Sequence, residues 1–353
     1  MNIRIHSGEL NRIMKTIVQC TDPKDISNKA NVRITYADNR LTFLAASGAS
    51  TAEMFTPVMG GDGESFCVDA AMLSRVCAMQ SGEISMETDG KTCVIRGVGR
   101  TRLPIVNASI PEMGKTDGRR VTVKAEDLIR GYEAVNYAVA TDLSRIQLTG
   151  ILAETDGNAM KLVAIDGFQL SFEEVPCGGD TVKMIIPSGF LKMVCQCVGS
   201  GEEVTLVTDG KTVTAEAEGT RLRIGLLGGE FIDYGRILPK EFAIRCKFKA
   251  SEMRDALKAG NAVNSRQNLV KLEIGADEIT VQNNSEQADF EAKVACMTQG
   301  DPIRIAFNQK YLANMISAVD VDEPEIGMNG PTAAVVIRTE HGCRLTLPVR
   351  VMG

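Results

Sequence analysis

The sequence repeats itself three times, and a chain built this way folds as tandem copies of one supersecondary unit. Three segments open on a short alternating strand and run into an amphipathic helix. They are NIRIHSGELNRIMKTI (2–17), VTVKAEDLIRGYEAV (121–135) and IRCKFKASEMRDALKAG (244–260). Leu10, Leu128 and Met253 hold the matching helix position, roughly 120 residues apart. A second set lies between them: FCVDAAMLSRVCAM (66–79), MIIPSGFLKMVCQC (184–197) and IAFNQKYLANMISA (305–318), with Leu73, Leu191 and Leu312 in register. In the first helix Leu10, Ile13, Met14 and Ile17 fall at i, i+3, i+4 and i+7, the spacing of one buried face. Asp69, Ser188 and Asn308 stand ahead of the second set as N-cap residues. Six half-buried helices are expected, each with one face left for something else.

Between the helices the sequence alternates with period two, as in RLTFLA, VTLVTDGKTVTAEA and AAVVIRT, which is strand and hairpin. Thr-Asp-Gly-Lys-Thr occurs at 88–92 and again at 208–212. Its Gly-Lys resembles the end of a phosphate-binding loop, but Ser85 and Thr205 stand where that loop needs glycine. Asp-Gly between alternating strands is a hairpin turn instead. Gly97-Val-Gly99 has no third glycine, so a dinucleotide fingerprint is excluded. The expected fold class is α+β: three tandem domains of two helices and two antiparallel sheets each, over 1–116, 117–241 and 242–353. The joints are placed at Gly114–Gly118 and at the Leu238-Pro-Lys-Glu segment.

Composition removes several function classes. With 44% hydrophobic and 24% charged residues the chain is a packed protein rather than a disordered one. It has no apolar run of membrane-spanning length, and MNIRIHSGEL lacks the apolar core of a signal peptide, so a cytoplasmic protein with no membrane partner is expected. The ten cysteines sit singly in apolar patterns (Cys67, Cys77, Cys93, Cys246) or as Cys195-Gln-Cys197, and no CxxC occurs. They read as reduced core residues, with no metal site. Of the two histidines, His6 lies at a helix start and His341 in a turn, neither in a context for acid–base chemistry. No catalytic residue and no cofactor is expected. The formal net charge of −6 is opposite to that of a sequence-reading DNA binder.

The threefold repeat, with Leu-Pro-Val-Arg-Val near the chain end, resembles the bacterial sliding clamps, the beta subunits of DNA polymerase III. The likeness is carried by VAIDGFQLS (163–171), FIDYGRILP (231–239), FNQKYL (307–312) and TLPVRV (346–351), in this order along the full length. It implies a non-enzymatic processivity factor: a head-to-tail homodimer closed around double-stranded DNA, helices inside and sheets outside, acting in the cytoplasm at the nucleoid. Geometry agrees that two chains are needed. Twelve helices packed about 10 Å apart enclose roughly 28 Å of clear width, whereas six leave only about 9 Å. A duplex about 20 Å across fits the first and not the second.

A ring that slides should hold phosphates weakly, so the acidic net charge is no obstacle. Each candidate inner helix carries a basic side chain: Arg12 and Lys15, Arg75, Arg130, Lys192, Arg254 and Lys258, and Lys310. The resemblance makes these the DNA-facing set. Over the six helices eight basic side chains meet seven acidic ones, and the third helix, with Glu126, Asp127 and Glu133 against Arg130, should contribute least.

The resemblance further implies a pocket for short linear peptides of the DNA polymerase III catalytic subunit, the clamp loader and repair polymerases. Motif by motif its lining is Leu148, then Ile165, Gly167, Phe168, Gln169 and Leu170, then Ile232, Arg236 and Ile237, and finally Ala334, Leu347, Pro348, Val349, Arg350 and Val351. This chain departs from the family pattern. Phe168-Gln169 replaces a usual His-Arg and Ile232 a usual Pro, which makes the pocket more apolar and shifts its peptide preference. Met352 and Gly353 extend past the usual end. Ring closure is expected between edge strands at Gly99–Val106 and Leu269–Ile274, and the passage from Asn261 to Asn268 is more polar than in the family. Two other readings stand beside this one. The first is a diverged clamp-like scaffold, a paralogue or mobile-element clamp, that keeps the pocket and closes weakly. The second is an enzyme using a cysteine nucleophile or the Asp166 and Asp233 carboxylates.

Overall fold

The computed structural model describes residues 2–22, 30–48, 50–58, 63–263 and 268–350. Among them are six α-helices: α1 (Ser7–Ile17), α2 (Ala70–Ala78), α3 (Ala125–Val135), α4 (Ser188–Cys197), α5 (Ala250–Gly260) and α6 (Gln309–Ser317). They fall where the repeat puts them, and their apolar stripes are the buried ones. Leu10, Ile13, Met14 and Ile17 of α1 lose all contact with solvent, as does Leu73 of α2. His6 caps α1 by accepting from Gly8 N at 3.2 Å. Asp69 caps α2 through Met72 N at 2.6 Å, and Asn308 caps α6 through Lys310 N at 3.0 Å and Tyr311 N at 3.4 Å. Ser188 does not cap α4. It is the first helical residue, and Pro187 holds the capping position with φ −51° and no side-chain bond. Counted back from the repeated leucine, Pro187 is the true counterpart of Asp69 and Asn308. Its ring presets a helix-compatible φ without needing an N–H.

Tertiary contacts divide the chain into two units: residues 1–128 with 156–158 and 177–226, and residues 129–155 with 159–176 and 227–353. The division passes through α3, so the second repeat supplies strands to both. In the first unit a four-stranded antiparallel sheet runs Asn2–His6, Glu83–Thr88, Thr92–Arg96, Arg100–Pro104, the last strand outermost. A nine-stranded sheet joins the first two repeats where Thr220–Gly225 pairs with Ser50–Pro57, Leu222 opposite Ala52. The two Thr-Asp-Gly-Lys-Thr strings are matching hairpin turns. Asp89 Oδ1 accepts from Lys91 N and Thr92 N, Asp209 Oδ1 from Lys211 N and Thr212 N, and Gly90 and Gly210 supply φ of +80° and +84°. α1 and α4 meet through Thr16 Oγ1 and Cys197 Sγ, 3.0 Å apart.

In the second unit eleven antiparallel strands follow one another. From Gly150–Thr155 they pass through Ala159–Ile165 and Gln169–Pro176 to Gly342–Thr346, Val335–Arg338, Glu325–Met328 and Ile244–Phe248. They continue through Asp289–Gln299, Glu278–Asn284 and Leu269–Ile274 to Ile303–Asn308. Asp289–Gln299 turns the corner: its first half pairs with Glu278–Asn284 and its last four residues with Ile244–Phe248. α5 and α6 pack on the resulting core through Met253, Leu257, Leu312, Met315 and Ile316. The expected edge at Leu269–Ile274 is corrected here. That strand is internal, paired on both sides, and Ile303–Asn308 is the outer one, with Val349 N donating to Ala306 O at 2.7 Å on its open side. Strand order follows pairing across distant sequence, which alternation does not encode.

The junction of the second and third repeats within this unit is Gln169–Pro176 on Gly342–Thr346, with Phe172 opposite Cys343. It encloses a charged pair. Arg344 Nη2 lies 2.7 Å from Glu173 Oε2, with side chains 3% and 7% exposed. Arg344 also donates to Phe172 O at 2.6 Å and to Ala318 O, just past α6, at 3.2 Å. Removing one member of such a pair strands the other charge in a dry site. Arg344→Met should therefore lower unfolding stability by about 3–5 kcal/mol. Denaturant titration checks this, and the double variant Arg344→Met with Glu173→Leu should recover most of the loss.

Candidate functional site

Within the second unit the chain segment after α3, the turn at 166–168 and the start of α6 surround a cavity of about 290 Å³. The turn is set by Asp166, whose Oδ1 accepts from Phe168 N at 2.7 Å and Gln169 N at 2.6 Å, while Gly167 takes φ +98°. Burial pushes the Asp166 carboxyl above its ordinary range, and the two amides partly offset that. The Phe168 ring is 57% exposed and stacks on Tyr311, centroids 5.9 Å apart and planes at 28°. Gln169 is buried and donates its Nε2 to Tyr311 O at 3.2 Å. Together these contacts fasten the turn to α6.

The facing wall is the segment from Tyr137 to Leu148. Asp142 starts a 3-10 stretch by accepting from Ser144 N at 2.9 Å and Ser144 Oγ at 2.6 Å. Arg145 breaks the helical geometry with φ −125° and ψ 77°. Ala140 N closes the loop on Leu148 O at 3.0 Å, and Leu148 turns inward. Leu148, Ile165 and Leu170 share one apolar cluster with Val336, Cys343 and Leu345, on which Ile232 and Ala334 pack half-buried.

Leu148, Ile165, Leu170, Ile232 and Ala334 of the sequence-derived pocket therefore meet in one cluster, while Leu148, Phe168 and Gln169 line the cavity. Leu347 N donates to Phe168 O at 2.9 Å, which ties the chain end to the turn. Leu347 and Val349 are exposed apolar residues, Pro348 is half-buried and Arg350 exposed. Val351, Met352 and Gly353 lie outside the described residues. Arg236 and Ile237 stand on the surface, Arg236 paired with Asp233 at 2.8 Å, and neither lines the cavity.

Sequence reasoning missed Tyr137, Thr141, Asp142, Ser144, Arg145, Asp166 as a lining residue, Tyr311 and Asn314. The segment 137–147 has no periodicity to single it out. FNQKYL was read as a family string and a helix start, and its Lys310, assigned to the DNA-facing set, is a cavity-lining residue.

The other basic helix residues fall into two groups. Lys15, Arg75, Lys192 and Lys258 are exposed. Arg12, Arg130 and Arg254 are half-buried. Arg12 is forked onto Glu9 at 2.8 and 3.0 Å, which lowers the Glu9 carboxyl and raises the guanidinium, and Arg254 reaches Ile316 O at 3.5 Å.

The ten cysteines are free, and seven are buried. Burial pushes the thiols of Cys20, Cys77, Cys93 and Cys246 up to about 12 and that of Cys343 to about 11, so none of these is a nucleophile at neutral pH. Asp166 lines the cavity and is held by its turn, whereas Asp233 does not line it and is paired with Arg236. Among the described residues no group of His, Cys, Asp and Glu is arranged to hold a metal ion, and no helix is long and apolar enough to cross a membrane.

The fold is that of solved sliding clamps. The DNA polymerase III beta subunit of Thermotoga maritima superposes with a TM-score of 0.91 at 19% identity, covering 99% of this chain and 100% of that one. The sequence models of the DNA polymerase III beta subunit match as well, the central domain over residues 122–233 and the C-terminal domain over 235–347. The beta sliding clamp of Vibrio cholerae is 24% identical over 227 residues, 62% of each chain. That of Caulobacter vibrioides is 27% identical over 285 residues, 76% of each. The chain belongs to the DNA polymerase III beta subunit family.

Two outcomes follow from this geometry. A Cβ at residue 167 would sit 3.3 Å from Arg145 Nη2 on a backbone that L-residues avoid. Gly167→Ala should thus cost about 1–2 kcal/mol and loosen the Phe168–Tyr311 stack, read by denaturant melts and by aromatic ring shifts in NMR. Iodoacetamide at pH 8 should label at most Cys177, Cys195 and Cys296 in the folded protein, and all ten cysteines after unfolding, as counted by intact mass.

Proposed function

We propose that this protein is a DNA polymerase processivity factor: a sliding clamp in which two copies join head to tail around double-stranded DNA and tether replication proteins. In this reading the chain comprises three clamp domains, 1–116, 117–241 and 242–353. It catalyses nothing itself, and it works in the cytoplasm on the nucleoid.

The observation that carries the reading is an outermost strand in each unit, the two drawn from different repeats. Arg100–Pro104 ends the four-stranded sheet of the first unit, and Arg96, Arg100 and Arg102 crowd there so closely that neighbouring charge lowers the Arg100 guanidinium. Ile303–Asn308 ends the sheet of the second unit, beside a depression lined by Glu273, Asp277, Glu278 and Arg304, in which Glu273 is paired with Arg304 and Glu278 with Lys293. A strand with a free side invites another chain, and outer strands drawn from different repeats favour a head-to-tail contact over a like-with-like one.

Lys15, Arg75, Lys192 and Lys258, with Arg12, Arg130 and Arg254, supply weak phosphate contacts suited to sliding. Val336, Cys343 and Leu345, with Leu148, Ile165, Leu170, Ile232 and Ala334, floor a cleft for short peptides of the polymerase III catalytic subunit, clamp loader and repair polymerases. Gly167, Phe168, Gln169, Arg236, Ile237, Leu347, Pro348, Val349, Arg350 and Val351 complete it.

Light scattering should give a species at twice the 38.0 kDa of the chain. Arg100→Glu with Arg102→Glu should raise the dimer dissociation constant by about tenfold or more at low salt. Once loaded, the wild-type dimer should be retained on nicked circular DNA and run off the same DNA after linearisation. A persistent monomer would leave the peptide cleft standing without the ring.

A further inference from the structure

We propose that the free side of Arg100–Pro104 docks an extended segment of another protein, one that alternates acidic and apolar side chains. The proposal needs only this edge and so goes beyond the clamp reading. It bears on that reading because the second copy is assigned the same edge, and such a segment competes with ring closure.

Backbone parity sets what the edge offers. Gly97 N donates to Gly99 O at 3.0 Å, and Ile105 N to Lys91 O at 2.9 Å. In an antiparallel pair such bonds fall on every second residue, so Thr101 and Leu103 turn their backbone groups to Thr92–Arg96. Arg100 and Arg102 turn theirs to the free side. Pro104 has no N–H and ends the run. A strand added here finds a short ladder at Arg100 and Arg102, and its residues facing them stand two apart, about 7 Å.

Side chains fix the chemistry. Arg100 and Arg102 are exposed on the face opposite the buried Leu103. Arg96 lies across from Arg100 and is paired with Glu87 at 3.3 Å. Arg100 and Arg102 have no carboxylate within ion-pair distance among the described residues. Arg102 and Arg96 lower the Arg100 guanidinium, so carboxylates two residues apart on an added strand relieve repulsion as they form ion pairs. The residue between them faces the other side of the sheet, where α2 packs. Met79, just past α2, and Val98, whose N donates to Gln80 Oε1 at 3.0 Å, are exposed apolar residues at that end. An apolar side chain suits that position. A nucleic acid fits the edge worse. Neither Thr92–Arg96 nor Arg100–Pro104 holds an aromatic residue for a base to stack on. A duplex would also meet a chain of net charge −6, whereas a short segment senses little beyond the screening length of about 8 Å.

The test uses the full chain and three peptides with an N-terminal fluorescein. They are Thr-Glu-Val-Glu-Val-Thr-amide, its counterpart with Gln for Glu, and Thr-Glu-Glu-Val-Val-Thr-amide, which keeps the charge and loses the alternation. Fluorescence anisotropy should show the alternating Glu peptide binding about tenfold tighter than the other two at low salt, the gap narrowing as salt rises. Arg100→Gln with Arg102→Gln should close the gap. Arg4→Gln, on the same face at the far edge of the sheet, should leave it unchanged. In light scattering, the unlabelled alternating peptide at saturation should lower the mass of a dimer to 38.0 kDa. Equal binding of the Glu and Gln peptides removes the acid requirement, and equal binding of the two Glu peptides removes the strand. Either result overturns the proposal, as does the absence of binding or a dimer that persists with the alternating peptide bound. A chain that stays monomeric yet prefers the alternating Glu peptide upholds the docking edge and sinks only the ring.

Discussion

Arg344 is the side chain on which the second unit depends. Its guanidinium bonds to Glu173 and Phe172 on one repeat and to the carbonyl after α6 on another, all out of water. A charge so placed tolerates no shift of strand register. Sliding Gln169–Pro176 by one residue against Gly342–Thr346 would turn Glu173 to the opposite face and leave the arginine unpaired. The apolar pairs beside it, such as Leu170 with Leu345, allow several near-equivalent packings, so the ion pair selects one of them. The floor of the proposed peptide cleft is built on that register, and so is the position of Phe168 one residue before the strand begins.

A physical division of labour runs through the molecule. Shape is held by continuous sheets and by helices whose inner faces are mostly apolar. The exposed chemistry sits on strand edges, helix ends and one irregular segment. The deeply buried thiols are held protonated, and the carboxylates of the cavity are occupied by backbone and hydroxyl donors. Such a surface is suited to holding partners for a time and letting them go.

Much of this was legible in the sequence, for a reason that can be stated. The helices repeat one apolar spacing on one structural unit, so Leu10, Leu73 and Leu312 announce their burial before any coordinates. Capping was legible where the side chain itself does the work, at Asp69 and Asn308. It failed at Ser188, because a proline performs that entry through backbone geometry alone. Strand order was not legible. Leu269–Ile274 alternates as an edge strand would, and only the distant Ile303–Asn308 makes it internal. Of the cavity, the turn at Asp166–Gln169 was visible as a motif. Arg145, Tyr311 and the role of Lys310 depend on an aperiodic segment meeting a helix end, which no local pattern records. Arg344 was likewise hidden: in GCRLT every residue is buried, so the alternation that would mark an arginine as outward is absent.

The stitching of repeats by paired strands also has a consequence for synthesis. Glu173 and its partner Arg344 are 171 residues apart, and the strand carrying Arg344 lies near the end of the chain. While the ribosome extends the chain, Gln169–Pro176 waits with one side unpaired and its carboxylate uncompensated until the last strands emerge. Nascent chains interrupted late would present that open side to one another. The proposed cleft cannot form before Gly342–Thr346 is made, so peptide binding there would report that this strand is in place.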